Sequence, residues 1–145
     1  MAEKLYKEII VPASAKKVWE MWTTVEGITS FFAPKANVEL KIGGKFEMLF
    51  MLDNPVGLQG AENCTILSYL PGQMLSFSWN APPQFPVVRN QFHWYVLNFI
   101  TVDEHTTKLE LTGLGWQETE EWNQVYDYFD KAWTSVLNNL KNKLS

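Results

Sequence analysis

The chain is poor in several residue types, and each scarcity closes off a class of function. Among 145 residues there is one cysteine, Cys64, so no disulfide can form within the chain. Followed by Thr65 and Ile66 in a strand-like stretch, it reads as a small buried hydrophobe rather than a nucleophile. Arginine is nearly absent: eleven of the twelve basic residues are Lys, and Arg89 is the single Arg. With a net charge of -4, that argues against nucleic-acid binding, which leans on clustered Arg and Lys. The two histidines, His93 and His105, lack any metal-ligand spacing, so no metal is expected. Gly43-Gly44 stands outside any phosphate-cradle motif, there is no Gly-x-Ser-x-Gly elbow, and no motif calls for a cofactor or sets out a catalytic chemistry. No apolar run approaches the ~18 residues of a membrane span. Met1-Ala2-Glu3-Lys4 leads straight into a strand-like pattern, so neither a signal segment nor a membrane span is expected, and the expected location is cytoplasmic.

What the chain has in quantity is aromatic residues, 14% of the total, with seven Trp and nine Phe. Large flat side chains either overfill a core or line a pocket. The length suits a single domain over residues 1–145. Its last stretch, from about Thr119 to Lys143, repeats Trp122, Val125, Tyr126, Phe129, Trp133, Val136, Leu137, Leu140 and Leu144 at steps of three and four. That spacing predicts one long amphipathic helix, and a rod of that length needs a broad sheet to lie across. Glu118, Glu120 and Glu121 at its start and Lys141 and Lys143 at its end suit the helix dipole.

Taken in order, Leu5 to Val11 predicts a strand stopped by Pro12. Ser14 offers a cap to a short helix carrying Val18, Trp19, Met21 and Trp22, and a second helix from Thr24 ends before Pro34. The period then changes to two. Val38 to Ile42, the Gly43-Gly44 turn and Lys45 to Met51 predict a hairpin. Further strands follow at Asn63–Leu70, Met74–Trp79, Phe92–Val102 and Thr107–Leu114, with one long irregular connection from Asn80 to Asn90. Short turns between strands make them antiparallel, so the expected class is α+β: one strand, two short helices, six strands and a long helix.

Several segments together carry a family likeness. They are Ile10 to Trp22, Glu26-Gly27, Gly43-Gly44-Lys45-Phe46, Pro71-Gly72 with Leu75-Ser76-Phe77-Ser78-Trp79, Thr107 to Leu111, and Trp133 with Leu140. In this order and spacing the chain resembles the SRPBCC or START-like superfamily. Its nearest likeness is to the branch related to the C-terminal domain of the activator of the ninety-kilodalton heat-shock-protein ATPase. The resemblance implies a helix-grip fold, in which a curved antiparallel sheet wraps round the C-terminal helix and leaves a cavity between them. One departure is Phe31-Phe32-Ala33-Pro34, where many such domains carry a Trp before the proline.

The resemblance implies no single function, and three readings stay open. The preferred one is a binding domain for an apolar or aromatic small molecule. The second is a co-chaperone-like module that binds a heat-shock chaperone and stimulates its ATPase. The third is a cyclase- or dehydratase-like enzyme, for which His93 or Tyr126 would point into the cavity. The expected assembly is a monomer or a homodimer. The cavity candidates are Phe32, Phe46, Met48, Phe50, Phe77, Trp79, His93 and Tyr95, facing Trp122, Tyr126, Phe129 and Trp133 of the helix, with Val136 onward as plain packing. Strand alternation separates His93, Tyr95 and Leu97 from Phe92, Trp94, Val96 and Asn98, so one of these sets faces inward. Arg89, in the proline-bracketed connection, is the polar candidate for the cavity mouth.

Overall fold

The change of hydrophobic period along the chain translates directly into its elements. The computed structural model describes residues 4–145, so the reading of Met1-Ala2-Glu3 lies outside the described residues. Strand β1 (Leu5–Val11) leads into two short helices, α1 (Ala15–Thr23) and α2 (Val25–Phe31). Then come β2 (Lys35–Val38), β3 (Phe46–Leu49), β4 (Ile66–Leu70), β5 (Met74–Trp79), β6 (His93–Asp103), β7 (Thr106–Leu114) and the long helix α3 (Glu120–Leu144). This is the order of strands and helices that the sequence predicts. Ser14 and Thr24 cap α1 and α2, accepting from the N–H groups of Lys17 and Gly27.

Five strands form one antiparallel sheet in the order β1-β7-β6-β5-β4, and β2 and β3 form a separate ladder. Isolated bridges, Lys45 to Thr65 and Leu49 to Gly60, tie that ladder to the segment before β4. The hairpin differs from its expected form. Val38 pairs with Phe46, so residues 39–45 make the turn and the alternating Leu40 and Ile42 are exposed. Alternation placed the strand there; the chain instead enters the ladder at Lys35, directly after Pro34. The strand predicted from Asn63 begins at Ile66, since Asn63 adopts a positive φ of 66° that breaks extended pairing.

α3 lies across the concave side of the sheet. Thr119 accepts from the Trp122 N–H at 3.2 Å, and the helix runs 25 residues, roughly 38 Å. Its buried stripe is Trp122, Val125, Phe129, Trp133, Leu137 and Leu140. The sheet meets it with Phe77 and Trp79 of β5 and His93 and Tyr95 of β6, while Phe99 of β6 packs on Trp19 of α1, and Leu75, Leu97, Leu109 and Leu111 are buried beside them. The alternate residues of β6, Trp94 to Ile100, face outward, which places Asn98 on the outer side. An ion pair of 2.7 Å between Lys7 and Asp130 links β1 to the flank of α3.

Candidate functional site

On the side of the sheet the rings of α3 meet other rings and fill the space. Ring centroids of Phe46 and Phe77 lie 4.5 Å apart, and those of Tyr95 and Trp133 lie 4.8 Å apart, in the tilted contacts aromatic pairs prefer. Gly113 makes room for this, because a Cβ there would come within 2.5 Å of the Tyr95 ring. Phe46, Met48, Phe77, His93 and Tyr95 are fully buried, and none of these five expected lining residues borders the cavity described below. They are packed core because each has a partner ring or chain across the seam.

His93 is sealed at the centre of this cluster. The rings of Trp116, Trp122 and Phe129 surround it at centroid distances of 4.7 Å, 5.9 Å and 5.2 Å. Its Nε2 shares a 2.8 Å hydrogen bond with the Tyr95 hydroxyl, while Nδ1 has no partner. Burial pushes its pKa down to about 3, so the ring is neutral near pH 7. A proton carrier must meet its substrate, and His93 has no path to one. Burial likewise raises the Cys64 thiol to about 12 and keeps it unreactive.

A cavity of about 320 Å³ opens between α3, the connection that follows β3 and the segment that follows β5. Its walls are rings: Phe32, Phe50, Trp79, Tyr128, Phe129 and Trp133. The space persists because the residues between the rings are small, namely Gly60, Ala61, Ala81 and Ala132. Gly60 must be small in any case, since a Cβ there would lie 2.5 Å from the Met48 carbonyl oxygen. Helix α3 contributes Phe129, Ala132, Trp133 and Val136, the i, i+3, i+4, i+7 set of one face. Phe50 and Tyr128 are 42% and 39% exposed and stand at the mouth. Among the described residues, no Asp, Glu, Lys, Arg or His lines the cavity.

Five of the expected candidates therefore come together here: Phe32, Phe50, Trp79, Phe129 and Trp133. Two others, Trp122 and Tyr126, border a separate and more polar cleft of about 390 Å³ with Trp116, Glu118 and Asp127. Val136, expected as plain packing, is part of the cavity wall instead. Sequence reasoning missed Tyr128, the small residues and Asn80. Four alanines and glycines scattered between aromatic positions were the available signal, but only folding brings them to one place.

The wall is held from behind by a buried ion pair. Arg89, 9% exposed, donates to the carbonyl oxygens of Ala81 (2.6 Å), Gly57 (2.8 Å) and Gly60 (3.0 Å), and to Glu62 Oε1 (3.3 Å). Glu62 in turn accepts from the backbone N–H groups of Gly57, Gln59 and Gly60. Arg89 was expected at the cavity mouth. It lies behind the wall because loop carbonyls and Glu62 consume its donors, and a guanidinium's several donors suit such a hub. Among the described residues, no group of three or more His, Cys, Asp or Glu is placed to hold a metal ion. No helix of the described residues is long and apolar enough to cross a membrane.

A long C-terminal helix laid across a curved antiparallel sheet, with a cavity at its flank, defines a helix-grip domain. Within that class the chain belongs to the family described as Activator of Hsp90 ATPase homolog 1-like protein, whose model matches residues 12–145. No curated protein matches it. Among solved structures, protein MLL2253 from Mesorhizobium loti is similar at TM-score 0.76 and 18% identity, covering 97% of this chain and 96% of that one. The Aha1 dimer from Colwellia psychrerythraea is similar at TM-score 0.74 and 16% identity, covering 99% and 96%. CalU16 from Micromonospora echinospora is similar at TM-score 0.72 and 21% identity, covering 98% and 76%. At these identities the likeness is one of fold.

Proposed function

We propose that the chain acts as one START-like unit that binds an apolar or aromatic small molecule in the cavity beside α3. The observation that carries this reading is a ring-walled space of about 320 Å³, kept open by Gly60, Ala61, Ala81 and Ala132 although the neighbouring seam is filled. Its size sits at the lower end of the roughly 300–1,000 Å³ usual for ligand pockets, and its apolar lining suits a ligand bound by desolvation. The test is a thermal-shift and native mass-spectrometry screen of lipids, sterols and aromatic metabolites. The reading expects at least one aromatic class to raise the melting temperature and to appear as a stoichiometric mass increment. No shift and no increment across the library would end it.

A second reading has its own support, the family match itself. As a co-chaperone-like module the chain would bind a heat-shock chaperone through its outer surface and raise its ATP hydrolysis. Mixing the two proteins and measuring phosphate release tests it, and an unchanged rate removes it. The cyclase- or dehydratase-like reading loses its carriers. It needed His93 or Tyr126 in the cavity, and neither lines it.

A further inference from the structure

This inference rests on the ligand-binding reading above and specifies its ligand. We infer that the cavity takes an uncharged, flat aromatic molecule bearing a hydrogen-bond donor, and that Asn80 Oδ1 accepts that donor. Asn80 is 5% exposed, follows directly on β5 and is one of the residues that line the cavity. Its Nδ2 donates to the carbonyl oxygens of Gly60 at 3.1 Å and Glu62 at 3.4 Å. Both partners are acceptors, so the amide has one sensible orientation, with the NH₂ toward them and Oδ1 turned away. Among the described residues, Oδ1 accepts no hydrogen bond from the protein. Oδ1 is not sealed off, so water reaches it in the empty cavity; a ligand hydroxyl or N–H placed against it takes over that water's bond, which an apolar or donor-free ligand cannot do.

Of the other polar side chains of the lining, Gln84 and the Tyr128 hydroxyl belong to exposed residues that water satisfies in the empty state, while the indole N–H of Trp133 is buried and that of Trp79 is a donor that cannot pair with a ligand's donor. They add little discrimination. Charge on the ligand is disfavoured in either sign. A carboxylate would lose its water without gaining a cation, since no Lys or Arg lines the cavity and the nearby Arg89 is committed to Glu62 and three carbonyls. A cation would find no carboxylate, and Glu62 is likewise already bonded. The rings do not form an open box for a cation either. Phe32, Trp79 and Trp133 touch one another, with centroids 5.5 Å to 5.9 Å apart and planes tilted by 45° to 88°, and so offer ring faces and edges to an aromatic ligand in the offset and edge-on contacts such rings prefer.

The experiment uses the unmodified chain and four probes of one ring system: 2-naphthol, 2-methoxynaphthalene, 2-naphthoate and 2-naphthyltrimethylammonium. Binding is followed at pH 7 by tryptophan fluorescence and checked by calorimetry. The expected result is that 2-naphthol binds at least about tenfold more tightly than each of the other three. In Ala132→Leu, whose larger side chain occupies the cavity, naphthol binding is expected to be lost. Equal affinity for naphthol and its methyl ether overturns the Asn80 assignment and leaves ligand binding standing. A preference for the naphthoate or the ammonium probe overturns the claim that charge is excluded. Naphthol binding that survives in Ala132→Leu overturns the placement. Binding of none of the four overturns this inference; the wider library screen then decides the ligand-binding reading on its own.

Discussion

Around His93 and Tyr95 the rings of α3 and the sheet interlock and leave no room, whereas around Ala132 rings of the same kinds stand apart round a cavity of about 320 Å³. Trp133 and Phe129 belong to both neighbourhoods. The contrast therefore does not lie in the aromatic residues, and counting them cannot distinguish a core from a pocket. It lies in what fills the gaps between them. In the seam, Phe77, Leu97 and Leu111 are fully buried among the rings, and the polar pair His93 with Tyr95 shares one hydrogen bond that leaves His93 Nδ1 without a partner. On the cavity side the gaps are lined by glycine and alanine, and Arg89 and Glu62 tie down the connections that carry Gly60 and Ala81.

The largest effects should come from breaking the filled side. Phe77→Ala removes a fully buried ring and is expected to cost about 3–5 kcal/mol in denaturant unfolding. Phe50→Ala, at the cavity mouth, should cost about 1 kcal/mol or less in the same assay, yet weaken ligand binding. Equal costs would erase the distinction between the two regions. Arg89→Met tests the wall: it strands a buried Glu62 carboxylate and three carbonyls, and should cost about 3–5 kcal/mol, with part recovered in Arg89→Met/Glu62→Gln. An exposed loop charge would show no such loss.

Acid sharpens the comparison further. The folded His93 has its pKa pushed down to about 3, against an ordinary value near 6.5 in the unfolded chain. Between those values the unfolded state binds the extra proton, so stability is full above about pH 6.5 and falls as pH drops toward 3. The loss should be on the order of 5 kcal/mol at the acid end. His93→Phe/Tyr95→Phe replaces the pair with rings, and its stability should lose that slope. An unchanged slope in the double variant would mean that His93 is not sealed.

Much of the architecture is readable before folding is considered, because it follows from local period. The step of three and four in α3, the alternation of β5 to β7 and Ser14 as a cap are all local, and the element order follows from them. The β2–β3 hairpin was less legible, since Leu40 and Ile42 alternate as a strand does but lie in an exposed turn. The cavity was legible only in part. Phe32, Phe50, Trp79, Phe129 and Trp133 could be picked as large and apolar, but so could Phe46, Phe77 and Tyr95, which pack. Arg89 meets Glu62 across 27 positions of sequence, and no local pattern announces that pairing. Asn80 looked like an ordinary loop residue because its partners, Gly60 and Glu62, lie on another connection.

The smallest effect on stability belongs to the most direct test. Ala132 is a half-buried helix position facing the cavity, so Ala132→Leu should change unfolding free energy by less than about 1 kcal/mol while filling the space. Titrating the variant and the parent chain side by side with 2-naphthol settles whether that space is the binding site. The account predicts saturable binding to the parent and loss of affinity of tenfold or more in the equally folded variant. The same affinity in both would contradict it.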